Sequence, residues 1–490
     1  MIGRRGFLGA ALIGGIAPPF LGAVAPRAAW GQTMADTIVI GGGLSGLAAM
    51  QILENEGQKV VLLEGNRRLG GRAYTMDSEA GPLECGGATL GPLYGRLRSL
   101  AAMAGVDLVE SGARDGMAYH IGGQFILPDA WEGSAANKLP AAERMVRPEQ
   151  LEFKYVQQFN MIKDLEAWAD PEMMAYDVPL DSYLKSHGIS DEALRLIEIT
   201  TNSLGLSRTS ALFQMREFAR LALPLKGGDT KGGSAREVYA APTGDNSYQV
   251  VKGGTSRLVE GIRGLMKGDV RTGAVVVGID VRPDGVTVEL LDGTRLQARN
   301  CICTIPYSAL GGVRITPGLR GRKLAAVSEA VYTSTSHVFA VPTKAYWEMD
   351  GGPAGLLSDT LIERVFAGKD ASGKVNLVDI WLNGATATAV DSLPEAERTD
   401  FVLARLAAIR PSTKGALKVV GTYSWGLNPF IRGNKQVFGA GQVSAHYDAM
   451  AMPWQERLRF AGEHTRDWEA GMEAATASGQ REAFAVLGLS

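Results

Sequence analysis

Gly41, Gly43 and Gly46 fall at the spacing G-x-G-x-x-G, and Glu64 closes the apolar run KVVLLE that follows. The spacing suits a dinucleotide. Gly41 permits a tight turn, Gly43 lets backbone approach a pyrophosphate, and Gly46 lets a helix pack closely on a strand. The first N–H groups of such a helix, among them those of Leu44 and Ser45, carry partial positive charge toward phosphates. Glu64 is placed to accept from ribose hydroxyls. Elsewhere the reactive residue types are dispersed. His120, His187, His337, His446 and His464 are scattered, and Cys85, Cys301 and Cys303 show no metal-ligand spacing. No Ser/His/Asp or Cys/His arrangement stands out, so the chemistry is expected to reside in the bound dinucleotide.

The elements that must position this loop are legible around it. TIVI before the glycines reads as a buried strand and LSGLAAMQILENEG as a helix. Leu47, Met50 and Leu53 recur at helical spacing, and KVVLLE is the second strand, which completes a βαβ unit. Residues 141–223 read as mainly helical, with SDEALRLIEITTNSL opening on a Ser/Asp cap. GGDTKGGSAREVYAAPTGDNS reads as a long polar loop. GAVVVGIDV and GVTVELLDG flank Pro283-Asp284-Gly285 and predict a hairpin. The last helix is expected to begin near Gly471.

Composition is that of an ordinary globular protein, 46% hydrophobic and 21% charged over 490 residues. A formal net charge of -2 favours neither nucleic acid nor an anionic membrane surface. The N-terminus is distinct: Arg4-Arg5, Phe7-Leu8 and a moderately apolar run broken by Pro18-Pro19. The run is too short and broken for a stable membrane span, and it resembles a twin-arginine export signal. Residues 1–30 are then a signal peptide, cut near Ala29, and the mature protein is periplasmic. That route carries folded proteins, often with a cofactor in place.

Further blocks carry a family resemblance. EGNRRLGGR sets Gly65, Arg68, Gly71 and Arg72 directly after the ribose acid, and resembles the ExxxxxGGR extension of the flavin amine oxidase family. ECGGATLGPLYGR, with Gly86, Gly87, Ala88 and Thr89, resembles the segment lining the flavin ring in monoamine oxidases. KGGTSRLVEGI resembles the second entry into the nucleotide domain, after which Val276 would face the adenine. FAGEHT resembles FAGEAT, whose acid, here Glu463 beside Gly462, bonds the ribityl chain. WEAGMEAATASG resembles WSGYMEGAVEAG, which places Gly471 and Met472 at the pyrimidine end of the flavin. The resemblance implies FAD as cofactor. Asn434 stands where some monoamine oxidases attach flavin through cysteine, so non-covalent FAD is expected.

On the substrate side the sequence departs from that pattern. A lysine that assists reoxidation by oxygen in the family is replaced by Gly311, or by Gly312 with a one-residue slip. The two rings of the amine oxidase cage align with Lys435 and Gly471. Leu90 stands near the position of the carboxylate-binding arginine of L-amino acid oxidases, and Arg96 lies beyond it. Lys435 would pair with a substrate carboxylate or phenolate, or else is a solvated loop residue. Lys435, Trp468 and Trp425 are the candidate catalytic residues, although Trp425, Trp381 and Phe430 also read as core. His337 takes a strand position usually held by lysine and reads as a satisfied interior group. His464 is a candidate flavin contact.

The expected fold is α/β: a Rossmann-like FAD-binding domain interleaved with an α+β substrate-binding domain. FAD-binding parts are expected over 35–115, 241–325 and 431–490, and substrate-domain parts over 116–240, mainly helical, and 326–430. The leading function is FAD-dependent oxidation of a small-molecule amine by hydride transfer to flavin N5, the imine product being hydrolysed. The competing readings are a dehydrogenase or desaturase acting on a non-amine C–H, with electrons passed to a periplasmic acceptor protein such as a cytochrome, and a non-catalytic flavin-binding partner protein.

Overall fold

The computed structural model describes residues 34–222 and 248–489. The export signal and the whole of the expected polar loop lie outside the described residues. Within the rest, the βαβ unit forms as expected: strand Ala35–Ile40, helix Leu44–Asn55 and strand Val60–Glu64, with the two strands parallel. They are central to an eight-stranded sheet that also takes strands Asp269–Thr272, Arg295–Cys303 and Leu458–Phe460 in parallel. The predicted hairpin, Val276–Arg282 with Gly285–Leu290, continues this sheet antiparallel through Arg295–Cys303. Strands from three distant stretches of sequence thus close one sheet. Ile38, Val39, Leu62, Leu63, Cys301 and Ile302 are fully buried between its layers, each such side chain contributing about 1.5–3 kcal/mol where it is aliphatic. Helix Leu44–Asn55 lies against the last helix, Gly471–Leu487. The two approach closely: a Cβ on Gly479 would overlap the Ser45 carbonyl oxygen, and one on Gly46 would overlap the Gly41 carbonyl oxygen of the glycine loop.

A second sheet of seven strands is mostly antiparallel. Its order is Leu417–Ser424, Thr335–Pro342, Val375–Asn383, Arg364–Lys369, Gly355–Ser358, Met117–Ile121 and Gln124–Ile126. Two of its strands therefore come from a stretch expected to be mainly helical, because MAYHI and QFI are too short and too weakly alternating to announce themselves. Side chains alternate across this sheet. Val338, Ile380, Val365 and Ala367 pack on one face under helices Gly384–Asp391 and Glu395–Ile409. The opposite face carries His337, Phe339, Asp379, Trp381 and Phe366, whose registers put His337 opposite Trp381, and Asp379 opposite both Phe339 and Phe366. The remaining wall is helical: Pro148–Gln158, Leu180–Ser186, Asp191–Thr200 and Ala211–Ala222. Ser190 caps the third of these by accepting from Ala193 N–H, as its sequence predicts.

Candidate active site

The glycine loop opens onto a continuous cavity of about 730 Å³. Gly41 adopts φ +102, a left-handed conformation that favours glycine, and helix Leu44–Asn55 starts at Gly43 with no side chain capping it. Its first N–H groups are thus available to a ligand. A Cβ on Gly43 would meet no protein atom nearer than 3.9 Å, so protein packing alone does not demand glycine there. Glu64 accepts from Gly42 N–H at 2.6 Å and from Asn66 N–H at 2.7 Å. Burial pushes its carboxyl above the ordinary value, against the pull of those two N–H groups and of Arg68. Val276 lines the same end of the cavity, beside Glu64 and Gly65.

Arg68 lies over the Tyr74 ring at 3.8 Å and donates to the Gly71 carbonyl, which fixes the turn after the ribose acid. Arg72 donates to Glu463 and to the Asn434 carbonyl, each at 3.0 Å. Glu463 also pairs with Arg466. Burial alone would raise the Glu463 carboxyl, but Arg466, Arg72 and Lys435 together hold it below the ordinary range. Gly86, Gly87, Ala88, Thr89, Gly462, Gly471 and Met472 line the further part of the cavity. Of the expected cofactor residues, Gly46 stands off the lining, where it serves helix packing, and so does the candidate flavin contact His464. An uncapped helix start, an open Gly43, a ribose-ready carboxylate and a cavity running on to Gly87 and Met472 fit FAD. When bound, FAD supplies the two-electron acceptor for a substrate C–H bond.

Two expected catalytic residues and one candidate flavin contact are placed differently from their expectation. Trp425 is fully buried, donates its indole N–H to the Cys85 carbonyl at 2.5 Å and packs behind Gly86. It supports the flavin-side strand and does not line the cavity. Trp468 likewise belongs to the core and not to the lining. His464 turns onto the Tyr307 ring, 4.3 Å between centroids, and neither of its ring nitrogens finds a partner among the described residues. Burial, with Arg72 and Lys323 nearby, holds its pKa well below the usual histidine value.

Lys435 does reach the cavity, but not as a free charge. Its Nζ donates to Glu217 Oε2 at 2.7 Å, and Glu217 also pairs with Arg216. Arg216 in turn donates to the carbonyls of Asp467 and Glu469. Gly471 keeps its small size for a reason absent from the local motif: a Cβ there would come within 2.8 Å of the Tyr94 hydroxyl. Trp381 and Phe430 line the cavity, and so does Gly312, while Gly311 is not part of the lining.

Sequence reasoning missed the sheet face opposite the glycine segments. His337 stacks on Phe339, 5.3 Å between centroids and 4° between planes, and its Nδ1 sits 3.1 Å from both carboxylate oxygens of Asp379. Trp381 packs on His337 at 5.2 Å and on Phe366 at 5.3 Å. Arg114, at the exposed margin, covers the Phe366 ring at 4.7 Å. The alternation of STSHVFAV and NLVDIWLNG shows which residues share a strand face. Only strand pairing shows that the two faces adjoin.

A two-sheet body with a dinucleotide cradle running into a ring-lined chamber defines a flavin-dependent oxidoreductase. The family model for flavin containing amine oxidoreductases matches residues 44–487, and the chain belongs to that family as an FAD-dependent enzyme. It is 27% identical over 468 residues to a flavin-dependent L-tryptophan oxidase of Lentzea aerocolonigenes, spanning 90% of this chain and 95% of that one. It is 24% identical over 481 residues to the flavin-containing amine oxidase B of Cavia porcellus, spanning 92% and 86%. Among solved structures, cyclohexylamine oxidase from Brevibacterium oxydans superposes with a TM-score of 0.72 at 20% identity, over 93% of this chain and 99% of that one. Wild-type putrescine oxidase bound to putrescine gives 0.71 at 21% identity, over the same shares.

Proposed function

We propose that this enzyme oxidises a small-molecule amine by hydride transfer from the nitrogen-bearing carbon to N5 of non-covalent FAD. The imine released is hydrolysed by water. The observation that carries this reading is the continuity of the cavity from Glu64 and Gly43 to the face bearing Phe339, Phe366 and Trp381. That face sets three rings around the His337–Asp379 pair in the cavity lining. None of the three cysteines belongs to the cavity lining, which agrees with non-covalent flavin. Anaerobic addition of an amine panel should bleach the bound flavin. Full retention of the oxidised spectrum with every amine, in FAD-replete protein, would refute the proposal.

A second reading concerns the acceptor. Gly311, or Gly312 with a one-residue slip, stands where the family carries a lysine that assists oxygen, and of the two Gly312 lines the cavity. We infer a dehydrogenase that passes electrons to a periplasmic protein such as a cytochrome, reached after twin-arginine export. Slow reoxidation in air, with fast reoxidation by a soluble cytochrome, is the expected behaviour. Rapid reoxidation by air alone would overturn it.

A further inference from the structure

The sheet face at the substrate end holds a polar pair among rings. Asp379 binds the Nδ1 side of His337 through both oxygens at 3.1 Å. That pairing places the imidazole proton on Nδ1, and leaves the Nε2 lone pair as an acceptor. His337 and Asp379 both line the cavity. Phe339 and Trp381 hold the imidazole on two sides, and Phe366 lies beside Asp379 in register. A base, a carboxylate that orients it and a surround of flat rings form one unit.

We propose that His337, oriented by Asp379, receives the ammonium group of a ring-bearing amine whose ring lies against Phe339, Phe366 and Trp381. The assignment rests on the amine-oxidation reading for its chemistry, but its binding half can be tested without turnover. The ammonium gives one N–H proton to Nε2, the N–H bond breaking and a new N–H bond forming on the imidazole. The Asp379 carboxylate balances the resulting imidazolium charge. The freed nitrogen lone pair would then be available to form the C=N bond, FAD when bound supplying the two-electron acceptor for the carbon-bound hydrogen and its electron pair. Asp379 is in this account a positioning residue. The charged or titratable groups set around His337 are Asp379 on one neighbouring strand, Tyr423 directly opposite on the other, Arg364 opposite Trp381, and Arg114 at the margin.

The test uses FAD-replete wild type, H337Q, D379N and F366A, with 2-phenylethylamine, its neutral isostere 2-phenylethanol, and butylamine. Binding is read from the perturbed flavin spectrum or tryptophan fluorescence, and reduction from anaerobic bleaching. H337Q and D379N should each weaken 2-phenylethylamine by about tenfold near neutral pH, the size of one charge-assisted hydrogen bond, and weaken 2-phenylethanol, whose O–H donates an uncharged hydrogen bond, by a smaller factor. Their bleaching optimum should move to higher pH, where the amine arrives already neutral. F366A should weaken both phenyl ligands, and butylamine should bind least. Equal losses for amine and alcohol in H337Q and D379N, or butylamine binding as tightly as 2-phenylethylamine, would overturn the assignment. Asp379-dependent amine binding with no bleaching would sustain it while refuting amine oxidation. If D379N fails to fold, H337Q alone decides the comparison.

Discussion

Replacing Glu217 with glutamine should destabilise the holoenzyme, and the structure gives the size. Glu217 holds Lys435 at 2.7 Å and also pairs with Arg216, whose side chain is fully buried. At that separation the gross Coulomb attraction of one pair is about 6 kcal/mol with an effective dielectric of about 20. Much of it is spent on desolvation, and breaking one partner of a buried pair typically costs about 3–5 kcal/mol. Two features pull the expected loss to the low end. Lys435 is 28% exposed and can turn toward cavity water, and Arg216 keeps its bonds to backbone carbonyls. We therefore expect about 3 kcal/mol for E217Q near neutral pH, read from urea unfolding at saturating FAD. The E217Q/K435M double variant should be markedly more stable than the sum of its single variants. The cost should also fade in acid. Burial would raise the Glu217 carboxyl, but Lys435, Arg216 and Arg220 hold it well below the ordinary carboxylate value of 4.5. A carboxyl depressed in the fold contributes its full stability above the unfolded value, and loses it as pH falls toward the folded one. Wild type and E217Q should thus converge below pH 4.5. A loss under about 1 kcal/mol, the range of an exposed pair, or strict additivity with K435M, would refute the coupling.

Other consequences follow from the cradle and the oxygen side. G46V would drive a side chain into the Gly41 carbonyl, so it should purify without flavin, checked by the ratio of flavin to protein absorbance. E64Q should weaken FAD by about tenfold or more through the ribose contact, measured by flavin fluorescence on reconstitution. G312K should speed reoxidation of the reduced enzyme by oxygen in stopped-flow experiments. The position tolerates a side chain, its nearest would-be contact being 3.5 Å away, and an unchanged rate would remove the link between this glycine and the choice of acceptor.

The cofactor half was readable because its contacts are local in sequence. Gly41, Gly43, Glu64, Arg68 and Arg72 lie within one strand–helix–strand–loop stretch, and backbone geometry there permits few arrangements. Even the distant Glu463 announced itself through a compact motif. The substrate half is built from pairings that cross long separations, such as His337 with Asp379 and Lys435 with Glu217. No periodicity links those positions. His337 therefore read as an interior histidine, and Trp425 and Trp468 read as candidate catalytic residues although both are buried.

The electrostatics of the chamber follow from the same pairings. Taken alone, Lys435 invites a substrate carboxylate. With Glu217 in place that cation is already compensated, and capture of a carboxylate would have to break the pair at 2.7 Å and strand Glu217 beside Arg216. On the sheet side, Asp379 is engaged by a histidine that is charged only when protonated. An incoming ammonium can donate to Nε2 while the contact between Nδ1 and Asp379 stays in place. On the proposed reading the two walls differ in what they accept, with a cationic amine at His337 taken before an anion at Lys435. A panel comparing 2-phenylethylamine with phenylalanine tests this ordering, and tighter binding of phenylalanine, lost in K435M, would reverse it.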